Sequence, residues 1–124
     1  LTRTVNGTGH TGPSEFCATM CIVDLTDDDG TPNWGLAKIT AVEPQNPKEE
    51  FHLHWFGTYS KAKSLAKRAY APAYIDSRDD LEIYKWKKTK PLEEMTMRVH
   101  RSELRFYPFS LTNKNEIPVK IVKN

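Results

Sequence analysis

At 124 residues, 38% hydrophobic and 27% charged with a net charge of +2, the chain is long enough to close one small core. Its eight prolines argue against long helices, and no apolar run approaches the ~20 residues of a helical membrane span. The near-neutral total hides a segregation: residues 15–50 hold eight acids against two bases, and residues 61–90 hold nine bases against four acids. The acidic part suits a basic peptide and the basic part suits phosphates, while a plain solvated surface accounts for either.

The opening "LTRTVNGTGHTGPSE" carries neither an apolar block nor a cleavage pattern. Residues 1–14 therefore read as a flexible tail, with a single domain over 15–124. Starting on Leu rather than Met, the chain reads as a piece of something longer. Cys17 and Cys21 are four apart, awkward to bridge within one strand, which fits a reduced intracellular setting.

"FCATMCIVDL" (16–25) is β-prone enough for a first strand, and "TDDDGTPN" (26–33) is a turn. "WGLAKITAVE" (34–43) reads as a second strand, with Trp34, Leu36, Lys38 and Thr40 on one face and Ala37, Ile39 and Ala41 on the other. After the proline-bounded loop 44–50, "FHLHWF" alternates Phe51, Leu53 and Trp55 against His52, His54 and Phe56. "SKAKSLAKRAY" (60–70) is the one candidate helix, ended by Pro72, and "YAPAYIDSRDD" (70–80) reads as irregular and then turn-like. "LEIYKWKK" (81–88) alternates as a strand, residues 94–111 hold one or two more, and "PVKIVKN" (118–124) suits a short last one. Five or six short strands with at most one or two short helices make a mainly β domain, a small and strongly bent sheet or barrel.

No nucleophile elbow, phosphate loop or metalloprotease pattern is present, so a non-catalytic protein without a cofactor is expected. Cys17, Cys21, His52 and His54 could in principle make a Cys2His2 zinc set, but their spacings match no finger, and no metal is expected. Asp27-Asp28-Asp29-Gly30 lacks the alternating ligands of a calcium loop and reads as a hairpin turn. The aromatic residues are more informative. Trp34 opens one strand, Trp55, Phe56 and Tyr59 end the next, and Tyr70 and Tyr74 follow. In an antiparallel pair those two ends share a rim, so Trp34 and Trp55 should converge, either as a plug for the core or as walls of a pocket for a quaternary ammonium.

"DGTPNWGLAKI" followed by "FHLHWFGT" resembles the first half of the Royal-type chromatin readers, the PWWP, Tudor and chromo-barrel domains. The matching positions are Asp29, Gly30, Trp34, Ala37, Lys38, Ile39, Trp55, Phe56, Gly57 and Thr58. The bromo-adjacent-homology domains share a similar rhythm, and the second half looks more like reader domains carried in mobile-element polyproteins. The resemblance spans residues 16–60. It implies an SH3-like β-barrel with an aromatic cage for a methylated lysine of a histone tail, in a monomeric nuclear domain of a larger protein. Trp34 and Trp55 match the cage positions by motif. Where these readers often add a cage residue at the end of the first strand, this chain has Ile22, Val23 and Asp24, so Tyr59 and Tyr74 are the candidate closing walls. Asp24 and Asp76 are among the acids available to the tail's cationic groups. DNA is the alternative or additional partner, through Lys61, Lys63, Lys67, Arg68, Lys85, Lys87 and Lys88, with Trp86 or Tyr84 stacking on bases.

Overall fold

The computed structural model describes residues 18–44, 49–60 and 62–122. The expected tail over 1–14, Cys17 and Lys61 lie outside these residues. Eight strands follow in order: β1 (Met20–Thr26), β2 (Pro32–Pro44), β3 (Glu49–Thr58), β4 (Tyr70–Asp76), β5 (Leu81–Tyr84), β6 (Leu92–Glu94), β7 (Thr96–His100) and β8 (Leu104–Phe109). They form one antiparallel sheet in the order β5-β4-β3-β2-β1-β8, with β6 also on β4 and β7 also on β3. The mainly β expectation holds, with eight strands in place of five or six.

Two of the extra strands have clear causes. β4 pairs with β3, β5 and β6 and is buried at Tyr70, Ala71, Pro72, Ala73 and Tyr74, so it shows none of the alternation that marks a half-exposed strand. Pro72 makes the segment read as irregular, yet its carbonyl still accepts from Lys85 N–H at 3.1 Å. β6 and β7 are one run interrupted at Met95, whose N–H donates to the Ala73 carbonyl (3.1 Å) and whose carbonyl accepts from Trp55 N–H (2.8 Å). Met95 thus bridges β4 and β3 where they part. The candidate helix at 60–70 is only a 3-10 turn, Leu65–Lys67, and the expected last strand is instead the short helix α1 (Val119–Val122).

β1 and β2 are joined by the predicted turn. Asp27 N–H donates to Thr31 O (2.9 Å), enclosing Asp28, Asp29 and Gly30, and Gly30 takes φ +86°, which a side chain would resist. Asp29 Oδ1 accepts from Thr31 N–H at 2.9 Å, so this acidic run is turn chemistry.

The sheet is apolar on both faces. Around Phe51 gather Cys21, Val23, Ala37, Ile39, Leu53 and Val99; around Leu36, on the other side, gather Met20, Ile22, Phe56, Tyr70, Phe109 and Ile117. The chain beyond β8 covers this second face: Tyr70 N–H donates to Asn115 O (2.9 Å), and Leu111, Ile117 and Ile121 pack onto the Leu36 cluster.

The expected faces of β2 and β3 are present, with one interruption. Ile39 pairs with Leu53, Ala41 with His52 and Val42 with Phe51, leaving Thr40 as an extra residue. Its hydroxyl donates to the His52 carbonyl at 3.1 Å. The bulge lets both Ile39 and Val42 face Phe51 although they are three residues apart.

Candidate peptide-binding cleft

That bulge decides where the two tryptophans go. Uninterrupted alternation would put Trp34 on the side of Val42, and hence of Trp55. With Thr40 extruded, Leu36 pairs with Phe56 and Ala37 with Trp55, so Trp34 and Trp55 lie on opposite faces. Trp34 packs against the Leu36 cluster and Trp55 against the Phe51 cluster. Among the described residues, neither cleft that Trp34 lines is lined by Trp55.

The other expected cage residues are also dispersed. Trp55 lies over Gly35, where a Cβ would come within 2.6 Å of its ring, so this side chain caps the core. Tyr74 is 5% exposed and stands edge-on to His54 at 5.2 Å between centroids. The His54 ring is pinned in turn, its Nε2 2.8 Å from the Ala73 carbonyl. Tyr59 is half exposed but borders neither cleft described below. Asp76 is buried and its carboxylate accepts from Arg78 at N–H (2.9 Å), Nε (3.1 Å) and Nη2 (2.8 Å). These bonds to Arg78 hold its pKa at about 2. Asp76 fixes the turn after β4, its buried carboxylate held by the Arg78 backbone and guanidinium.

Trp34 and Asp24 do come together. They are opposite one another in the β1–β2 register. Trp34 N–H donates to Asn33 Oδ1 (2.8 Å), and Asn33 Nδ2 donates to Asp27 Oδ1 (3.0 Å), so the turn braces the strand that carries the indole. The half-buried ring divides two clefts. One, of about 100 Å³, is lined by Ile22, Leu65, Phe106, Ile117, Ile121 and Val122; the other, about 470 Å³, is lined by Asp24, Leu25, Thr26, Pro32 and Asn33. Arg105 borders both. Its guanidinium carbon sits 5.7 Å from the Phe106 ring centroid, and its Nη1 is 3.9 Å from Asp24 Oδ1. Trp34 and Phe106 thus border the smaller cleft and Trp34 and Asp24 the larger, and the Arg105 cation reaches both the Phe106 ring and the Asp24 carboxylate.

Phe106 and Arg105 were not among the expected site residues. They arrive because β8 pairs with β1, Ile22 opposite Phe106, across more than 80 positions of sequence. The alternation of "LRFYPF" marks a strand, but nothing local names its partner.

In the basic segment, Lys63 and Lys67 are exposed and Arg68 is committed to the backbone, Nε donating to Ala62 O at 2.9 Å. Lys87 and Lys88 are exposed, Lys85 is half-buried, and none of the three forms an ion pair among the described residues. Between them Trp86 is 49% exposed and packs edge-on against Phe56 at 5.5 Å. Tyr84, the other candidate for base stacking, covers Gly57 and donates to Glu82 Oε1 at 2.7 Å, which together with burial pushes its pKa up to about 12.

Cys21 faces the Phe51 cluster whereas Phe56, and with it His54 and His52 by alternation, faces away, so these candidates for a zinc set are not assembled. Burial pushes the Cys21 thiol up to about 12, which keeps it protonated and a poor nucleophile at neutral pH. No family model, curated protein or solved structure matches the chain.

Proposed function

We propose that this chain is a non-catalytic reader module whose Trp34 cleft takes the methylated lysine of a histone tail. The observation that carries this reading is Trp34 standing where two clefts meet, with Phe106 lining the smaller and Asp24 lining the larger. Aromatic faces attract a weakly hydrated ammonium, each desolvated contact being worth about 2 kcal/mol. The adjacent carboxylate of Asp24 adds charge attraction, and Asp27 and Asp28 in the neighbouring turn suit the basic flanks of such a tail. Trp55, Tyr59, Tyr74 and Asp76 have no part in this site.

The strand pairing supports an SH3-like barrel as the scaffold. In this reading β1, β2, β3, β7 and β8 are its five strands, with the 3-10 turn Arg101–Glu103 carrying the chain from β7, on β3, to β8, on β1. β4, β5 and β6 are then an insertion between β3 and β7. A nuclear chromatin factor or a mobile-element protein using the tail as an address is the parent that fits, with this part a monomeric domain.

An array of modified histone peptides, followed by titration of the best binder, tests the reading. Methylation-dependent binding that falls at least tenfold in Trp34→Ala, with the fold retained, is expected. Methyl-dependent binding that survives Trp34→Ala, or none at all by folded protein, overturns it.

A second reading rests on Trp86. An exposed indole braced by Phe56 and flanked by Lys85, Lys87 and Lys88, which form no ion pair among the described residues, is a small stacking platform with phosphate contacts, suited to single-stranded nucleic acid. Binding of this kind weakens log-linearly with salt, whereas cage recognition follows methylation state.

A further inference from the structure

The geometry points to Arg105 as a resident cation that occupies the ligand-cation subsite beside Trp34 and must be displaced for a ligand to enter; this inference rests on the reading of that cleft as a cation subsite. Three observations converge on it. Arg105 borders both clefts that meet at Trp34. Its guanidinium lies over the Phe106 ring, 5.7 Å from the centroid. Its Nη1 is 3.9 Å from Asp24 Oδ1, the carboxylate that an incoming ammonium would use. The same aromatic face and the same acid therefore serve the internal cation and the external one, and both cannot be served at once.

The hold is weak enough to be reversible. The side chains of Arg105 and Asp24 are 52% and 59% exposed, and at 3.9 Å the pair lacks the close, bidentate geometry that makes an Arg–carboxylate contact strong. Water screens such a pair, so Arg105 lowers the affinity for an external cation by a modest factor and leaves the subsite usable. The competing guanidinium also belongs to the strand that supplies Phe106, so its local concentration is fixed by the fold and independent of protein concentration.

Titration of the Trp34 indole N–H resonance with tetramethylammonium chloride, against a matched sodium chloride series, tests this in wild type, Arg105→Gln, Arg105→Lys and the Arg105→Gln/Asp24→Asn pair beside Asp24→Asn. Arg105→Gln is expected to tighten tetramethylammonium binding about two- to fivefold, the range that removal of an exposed ion pair allows. Arg105→Lys should stay near wild type, and the gain should vanish in the Asp24→Asn background. Equal or weaker binding in Arg105→Gln, or no response at Trp34 in any variant, overturns the inference. A methyl-lysine peptide titrated into the same proteins separates the two ideas. Peptide binding with no gain in Arg105→Gln removes the resident cation and keeps the reader. A tetramethylammonium gain without any peptide binding keeps the resident cation and removes the reader.

Discussion

Deleting Thr40 should cost little, while deleting Lys38, two residues away in the same strand, should cost several times more. Without Thr40, the pairs Ile39–Leu53, Ala41–His52 and Val42–Phe51 become consecutive rungs of a regular ladder, and no side chain changes face. The loss is the hydroxyl bond to the His52 carbonyl, worth about 1 kcal/mol and partly offset by the repaired ladder. Without Lys38, the ladder can close only by taking Thr40 in as a regular rung, which turns Thr40 inward and Ile39 outward. Ile39 is 0% exposed, and moving it to the half-buried position of Lys38 opposite His54 forfeits about 1–2 kcal/mol, part of what full exposure would cost. Burying an unpaired threonine hydroxyl adds about 1–3 kcal/mol. The sum, ~2–5 kcal/mol, is a large fraction of the stability of a domain this size, typically 5–15 kcal/mol. Urea unfolding followed by tryptophan fluorescence measures both. The Thr40 deletion should unfold within about 1 M of wild type at an m-value of 1–3 kcal/mol/M, and the Lys38 deletion should lack a cooperative transition or shift by 2 M or more. Equal damage from the two deletions would refute the assigned bulge, and with it the separation of Trp34 from Trp55.

Trp55→Ala should lower stability by about 2–3 kcal/mol, half the burial of a fully packed tryptophan, without weakening ligand binding. A urea midpoint unchanged from wild type, together with lost binding, would return Trp55 to the pocket. Asp76 contributes through pH: its carboxyl is held at about 2, against 3.8 for an unperturbed group, so its contribution is complete above 3.8 and disappears as pH falls towards 2. The difference in urea midpoint between wild type and Asp76→Asn should therefore be present at about pH 6 and absent near pH 2; a pH-independent difference would detach the effect from this carboxylate.

The aromatic residues show where sequence reading stops. Alternation in "FHLHWF" correctly separates Phe51, Leu53 and Trp55 from His52, His54 and Phe56, because side-chain direction along a strand has a period of two. The acidic turn is equally legible, since Asp, Gly and Asn have local backbone reasons to be there. β4 was not legible, because a strand buried on both faces loses its alternation and carries a proline as well. Residues 119–122 read as a strand because Val and Ile in a four-residue stretch favour one locally, and only docking of Ile121 on the Leu36 cluster stabilises the turn of helix α1.

The amino-acid order by itself determined the chemistry available: a mainly β chain, tight turns, paired tryptophans and an acidic run ahead of a basic one. Tertiary structure decided which of those groups meet. One extruded residue at Thr40 reversed the facing of half a strand and sent Trp34 and Trp55 to opposite sides. The pairing of β8 with β1 brought Phe106 and Arg105 to Trp34 from the far end of the chain. Both are matters of register, and register is set by the joint burial of many side chains on two faces, an energy that no single segment contains.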